Sequence, residues 1–164
     1  MDPQDAHPAE SRPPTLEDVL KLCRRLNELG ARYLIVGGIA IIQHGFTRAT
    51  EDIDLLVEGS LENQAKVKAA LEVFEDKAIR ELGDDDLRNY IVVRVADEVL
   101  VDLMLAACGI GYEEAIREAE TITIQGVPIP FATPKLLLRM KRTYREKDSI
   151  DREFLERKIR GEAP

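Results

Sequence analysis

Between Tyr33 and Glu58 the chain reads YLIVGGIAIIQHGFTRATEDIDLLVE. Two carboxylates, Asp52 and Asp54, stand in an apolar, strand-like stretch of it with only Ile53 between them. Residues two apart in a strand project to the same face, so these acids point together while Ile53 and Leu55 point to the other side, into a core. Like charges at that spacing repel. The repulsion is relieved when one carboxyl takes a proton or when a divalent cation with oxygen ligands, Mg²⁺ or Mn²⁺, lies between them.

A third acid, Asp102, interrupts the apolar run VLVDLML, where strand alternation alone would not put a charge. If its strand lies beside the DID strand, the three carboxylates can share one or two metal ions with the phosphates of a nucleotide. Such a set suits phosphoryl or nucleotidyl transfer, because the metals neutralise triphosphate charge, lower the pKa of an attacking hydroxyl and steady the leaving group. The same residues also have a purely structural reading, in which Asp52 caps a turn, Asp54 faces solvent and Asp102 pairs with an arginine such as Arg94. Gly37 and Gly38, directly after the YLIV run, let the backbone approach a phosphate closely, and the amides that open the next helix form an anion site. A tight packing turn would use the same pair.

These residues need a scaffold, and the pattern supplies one. Residues 1–14, which carry half of the chain's prolines, are expected to form a disordered tail, and residues 15–160 a single domain. Thr15 reads as the N-cap of a helix over LEDVLKLCRRLNELG that Gly30 stops. YLIV is a short buried strand, IAIIQH a short helix that Gly45 ends, and DIDLLVE a second strand. LENQAKVKAALEVF reads as a helix with Leu61, Val67, Ala70, Leu71 and Phe74 on one face, followed by an exposed GDDD turn. NYIVVRV and EVLVDLML are strands at hairpin spacing across Ala96 and Asp97, and TITIQGVPIPF is a further strand pair. Thr133 and Pro134 open a helix through LLLRMKRTYREK, with another helical piece near SIDREFLERKI. The expected fold class is α+β: a mixed, mostly antiparallel sheet flanked by helices, with helices at the C-terminal end.

Composition bounds the rest. The 164 residues are 45% hydrophobic and 33% charged, the make-up of a chain that folds around a core. A net charge of -8 argues against a protein that coats nucleic acid, since phosphate binding is driven by Lys and Arg. The distribution is uneven, with ten Lys or Arg against five Asp or Glu between Lys135 and Arg160. That segment is either a solvated helix surface or one that receives a phosphate-bearing ligand. Cys23 and Cys108 have no partners at metal-ligand spacing and read as small core residues in a reduced, cytoplasmic interior. No signal peptide and no membrane-spanning run is present.

The spacing VGG, thirteen residues, then DID, with a later acid in VDL, resembles the nucleotidyltransferase superfamily typified by DNA polymerase beta. GGIAIIQHGFTRATEDIDLLV is most similar to its small stand-alone prokaryotic members, which include nucleotidyltransferase toxins of the abortive-infection type. Those proteins carry an R-x-T-x-D-h-D run, present here as Arg48, Thr50, Asp52, Ile53 and Asp54. TPKLLLRMKRTYREKDSIDREFL resembles their closing helical segment, in which a lysine precedes a Lys-Asp pair. The resemblance implies Asp52 and Asp54 as metal ligands, Asp102 as the third acid that also activates the acceptor hydroxyl, and Gly37 and Gly38 as the phosphate turn. Many members have Ser where this chain has Gly38, so here backbone amides must serve instead.

Within that frame Arg48 either reaches a triphosphate or pairs with Glu51, and Lys141 and Lys147 either approach the nucleotide or are simply solvated. Thr50 belongs with Arg48 in the nucleotide-binding set. Asp148 and Asp151 read as caps or partners of nearby arginines, and His44 as a core or cap histidine in preference to a metal ligand. The function implied is transfer of an NMP from an NTP to a hydroxyl on a small molecule, a protein or an RNA end. The other reading is a catalytically silent binding module of the same fold, acting in a toxin–antitoxin pair with an antitoxin-type protein partner or as a homo-oligomer. A D-x-D glycosyltransferase would need a larger domain. P-loop, dinucleotide, EF-hand and zinc patterns are absent from the sequence.

Overall fold

Helix α1 (Leu16–Glu28) begins where its capping chemistry dictates. The Asp18 amide donates to the Thr15 hydroxyl, and the Thr15 amide donates to the Asp18 carboxylate at 2.7 Å, a reciprocal box. Arg12 braces that cap with two hydrogen bonds to Asp18, at 2.6 and 2.9 Å. Ser11 adds one to the Asp97 carbonyl at 2.6 Å, so the residues just before α1 are tied to the body of the protein. The computed structural model describes residues 10–141 and 146–162, the side chains at 146 and 147 excepted. Residues 1–9 of the expected tail thus lie outside the described residues. Gly30, at φ 68°, takes the left-handed conformation that ends α1 without a Cβ penalty.

Next come β1 (Tyr33–Val36), α2 (Gly37–Gln43), β2 (Asp52–Val57) and α3 (Leu61–Leu71), then α4 (Asp86–Asn89), β3 (Val93–Ala96) and β4 (Leu100–Met104). A small ribbon of β5 (Ala106–Ala107) and β6 (Ile110–Gly111) leads through α5 (Tyr112–Ala115) to the hairpin of β7 (Ala119–Ile124) and β8 (Val127–Ala132). Helices α6 (Pro134–Arg139) and α7 (Glu146–Ile159) close the chain. Six strands form one sheet in the order β3-β4-β2-β1-β8-β7. The β1–β2, β3–β4 and β7–β8 pairs are antiparallel, while β2–β4 and β1–β8 are parallel. This is the mixed α+β arrangement expected from the sequence.

The central strands are the most apolar. Ile53, Leu55, Leu56 and Val57 of β2 are fully buried, as are Leu34 and Ile35 of β1, and α1 contributes Leu20, Cys23 and Leu26 to the same core. Burial of that much aliphatic surface, at about 25 cal/mol per Å² of apolar area, is the main force holding the sheet to its helices. It fixes the DID strand in the middle of the sheet. Helix α6 packs against α2, β8 and α7, which brings the C-terminal helices to the helix that the twin glycines open, Gly37 being its first residue and not, as expected, part of a turn before it.

Several expectations change in detail. Helix α3 stops at Leu71, short of Phe74, and Leu61 is exposed while Asn63 and Gln64 are buried. Asn63 earns that position by bonding the Arg32 amide at 2.7 Å and the carbonyls of Arg32 and Glu58 at 2.9 and 2.8 Å, which staples the helix to the β1 and β2 ends. The acidic turn continues into α4, and strand β3 begins only at Val93, leaving Tyr90, Ile91 and Val92 exposed before it. Cys23 is buried, its thiol pushed up to about 12 by burial, but Cys108 is exposed at φ 49° and not a core residue. Helix α6 ends at Arg139, so Lys141 follows a helix instead of lying in one. No helix among the described residues is long and apolar enough to cross a membrane.

Candidate active site

Strands β2 and β4 run parallel with Asp54 opposite Asp102 and Asp52 opposite Leu100. Because Asp52 and Asp54 are two residues apart on one strand, all three acids share a face, and each offers a carboxylate oxygen within 4.8 Å of the others. Ile53 and Leu55, on the opposite face, have no exposure at all. The apolar half of the D-I-D-L alternation therefore anchors the strand so that its acidic half converges with Asp102.

Crowding of negative charge shows in the protonation of Asp54. Burial, followed by the charges of Asp52 and Asp102, pushes its carboxyl up to about 8, with Lys141 pulling in the other direction. Arg94 counters the remaining charge. It lies opposite Asp102 on the antiparallel β3–β4 pair. Its Nε donates to Asp102 Oδ1 at 2.8 Å, and its Nη2 donates to Asp102 Oδ2 and to Asp52 Oδ2, both at 2.9 Å. The pairing of Asp102 with Arg94 and the convergence of the three acids, alternatives on sequence grounds, are thus both present. An all-oxygen donor set that already attracts a cation and keeps one carboxyl protonated has the chemistry of a hard divalent-metal site.

The twin glycines are built against these acids. Gly37 has φ 67°, and a Cβ there would stand 2.1 Å from Asp54 Oδ2, so only glycine fits both the backbone and the space. At Gly38 a Cβ would meet Thr50 Oγ1 at 2.6 Å and Arg48 Nη2 at 3.0 Å. The volume that a serine side chain would need is thereby filled by Thr50 and Arg48, a physical reason for glycine at this position. The Thr50 hydroxyl also donates to the Asp52 carbonyl at 3.2 Å, tying the loop to the head of β2.

Among the described residues, two cations border the turn, each held from behind by a buried acid of α7. Arg48 does not pair with Glu51; its Nη2 donates to Asp151 Oδ2 at 3.2 Å, and its Nε faces Asp151 Oδ1 at 3.1 Å. That second approach lacks hydrogen-bond alignment and is Coulombic. Lys141 Nζ lies 3.0 Å from Asp148 Oδ1 and 3.2 Å from Asp151 Oδ2. Asp148 and Asp151 are fully buried and serve as partners of these two cations. The side chain of Lys147 lies outside the described residues. His44 is buried with Nε2 2.8 Å from the Ala132 carbonyl, the core role expected of it.

The acids, Gly37, Gly38, Arg48, Thr50 and Lys141 together line one cavity of about 450 Å³. That is the size range of small-molecule sites. Arg94 was legible only as a partner of Asp102, yet the hairpin register across residues 97–99 places it opposite that acid. The apolar wall of the cavity, which includes Met104, Leu137 and Met140, had no chemical signal in the sequence.

Comparison with known proteins places the fold among familiar ones. No curated protein matches the chain. Among solved structures, the antibiotic-resistance factor ANT(2'')-Ia is similar in fold, with a TM-score of 0.56 at 18% identity over 86% of this chain and 82% of that one. An antigenic nucleotidyltransferase-like protein from Paracoccidioides brasiliensis gives 0.57 at 20% identity over 91% and 77%. A candidate nucleotidyltransferase from Thermotoga maritima gives 0.53 at 14% over 89% and 92%. The family model described as nucleotidyl transferase of unknown function (DUF2204) matches residues 15–160. With nearly its whole length matched, the chain belongs to that nucleotidyl transferase family.

Proposed function

We propose that this protein is a metal-dependent nucleotidyltransferase that moves an NMP from an NTP to a hydroxyl acceptor. One observation carries the reading: three carboxylates from two strands meet within 4.8 Å beside the Gly37-Gly38 turn, in a cavity also bordered by Arg48 and Lys141. Asp52, Asp54 and Asp102 would hold the divalent cation, Mg²⁺ or Mn²⁺, which when bound supplies Lewis-acid polarisation and neutralises triphosphate charge. Gly37 and Gly38 let backbone amides approach the phosphates without steric cost. Arg48 and Lys141 contribute positive charge there, held in place by Asp151 and Asp148. Lys147, two residues before Ser149, belongs to the same proposed set. Asp102 accepts the proton of the acceptor hydroxyl as that oxygen attacks the α-phosphorus and pyrophosphate leaves.

The acceptor is a small molecule, a protein or an RNA end. The cavity size, about 450 Å³, favours the first. A toxin role with an antitoxin-type partner goes with the resemblance of the R-x-T-x-D-h-D run, and a cytoplasmic site of action with the reading of Cys23 and Cys108 as reduced residues. Incubation of the protein with each α-³²P-labelled NTP, Mg²⁺ and a cell extract tests the proposal. Label transferred to an acceptor by the wild type and not by Asp52→Ala supports it. NTP binding without transfer to any acceptor would instead make the chain a binding module.

A further inference from the structure

Among the described residues, three cations approach the candidate site, and they are held in two different ways. Arg48 and Lys141 are each only 14% exposed at the side chain and are fixed by Asp151 and Asp148, acids on α7 that stand behind the site. Nothing that enters the cavity competes for those partners. Arg94 differs on every count. It stands on β3 at the edge of the sheet, its side chain is 52% exposed, and its three hydrogen bonds go to Asp52 and Asp102, two of the acids a metal would claim.

We infer that Arg94 is the site's own counter-cation: in the metal-free protein its guanidinium occupies the carboxylate cluster, an incoming divalent ion displaces it, and the phosphates of a nucleotide receive it. The inference deepens the proposed function and rests on its reading of the three acids as a cation site. A guanidinium bonded to both oxygens of Asp102 and to one of Asp52 takes lone pairs that a metal needs, and its charge repels a dication at the same spot. The metal alone therefore binds against a resident competitor. An edge-strand side chain that is half exposed can turn away without opening the core, and an anionic nucleotide at the mouth of the cavity offers it new acceptors. Linkage then requires metal and nucleotide to strengthen each other's binding, because each relieves what the other would leave unpaired. The device keeps the acid cluster neutralised until both ligands are present.

The test is Mn²⁺ binding to the full chain, read from the electron paramagnetic resonance signal of free Mn²⁺, with and without α,β-methylene-ATP. Wild type, R94Q, R94K and D52N are compared. R94Q is expected to bind Mn²⁺ roughly tenfold more tightly than wild type without nucleotide, the scale of one lost partly buried charge competitor. R94K, a point charge without the fork, is expected to fall between them. The gain in Mn²⁺ affinity on adding the nucleotide analogue is expected to shrink in R94Q by a similar factor. If R94Q binds Mn²⁺ no tighter than wild type while D52N binds it more weakly, the acids are a cation site and Arg94 is not its gatekeeper. If no protein binds Mn²⁺ and D52N changes nothing, the cation reading falls and takes this inference with it. Should R94Q fail to fold, R94K decides on the same measurement.

Discussion

Asp54 and Asp102 are register partners on the parallel strands β2 and β4, so their carboxylates are neighbours by construction of the sheet. Asp52 joins them from the same face two residues earlier. A fold that needed only stability would not assemble three acids in a half-buried pocket, since each lost hydration raises the cost of the others' charges. The cluster is a stored electrostatic strain that a bound cation would release.

Replacing Asp54 by Asn should therefore separate stability from activity. The substitution keeps the shape and removes the most perturbed carboxyl of the cluster. Thermal unfolding in EDTA is expected to rise by roughly 2–4 °C, corresponding to about 1 kcal/mol in a chain of this size. Transfer activity is expected to fall by about a hundredfold or more, as for the loss of one transition-state electrostatic partner. A melting temperature that drops would show that the acids are not strained.

The pH dependence of metal-free stability follows from the same carboxyl. Its folded pKa, pushed up to about 8, lies above the unfolded value of 3.8, so the folded state holds the extra proton between them. Stability of the metal-free protein is thus expected to decline as pH rises from about 4 to about 8, and to level off above that. Saturating Mg²⁺ should flatten the decline, because the cation replaces the proton. Urea midpoints measured across that range with and without Mg²⁺ check the sign. The contribution of Asp18 has the opposite sign: Arg12 holds that carboxyl down at about 2, so its share of stability is lost only as pH falls from about 4 toward 2.

Gly37→Ala is expected to damage the site more than the fold's size would suggest. The new Cβ would sit 2.1 Å from Asp54 Oδ2 at a backbone φ of 67°, so either the strand or the turn must move. A loss of about 1–3 kcal/mol is expected from the strained conformation alone. Urea unfolding measures it, and Mn²⁺ affinity should fall in parallel because Asp54 is the group displaced. Gly30→Ala, at φ 68° with open space around it, is the control that carries the backbone strain without touching the site.

Asp151→Ala strips the buried partner from Arg48 and one partner from Lys141. Breaking a buried ion pair on one side costs about 3–5 kcal/mol, because the remaining charge is left without compensation. Chemical denaturation should report that loss. Asp151→Asn retains the shape and should cost less, while raising the KM for NTP more than it lowers kcat, since the cations it positions face the phosphates. An unchanged KM would mean that Arg48 does not contact the nucleotide.

Much of the frame was legible in the chain itself. The N-cap at Thr15, the stop at Gly30, the Thr133-Pro134 start of α6 and the strand over DIDLLV are local events, decided by residues within a few positions of one another. Where sequence and structure part, a long-range contact outvotes local pattern. Asn63 is buried and Leu61 exposed because the Asn63 amide is needed to bond the backbone of Arg32 and Glu58, which no periodicity reveals. Arg48 ignores its neighbour Glu51 for Asp151, 103 residues away in the chain, because a buried carboxylate offers a stronger field than a solvated one.

The sequence by itself determined which residues carry charge in apolar surroundings: Asp52, Asp54 and Asp102 stand out as acids within apolar strand runs, and Gly37 and Gly38 as a turn directly after one. Only the tertiary structure decided that β4 lies next to β2 with Asp102 level with Asp54, that Arg94 crosses both, and that α7 returns to brace Arg48 and Lys141. The reason is physical. Side-chain direction within a strand or helix is set by local geometry of fixed period, but which strands become neighbours depends on how the whole apolar surface is buried at once.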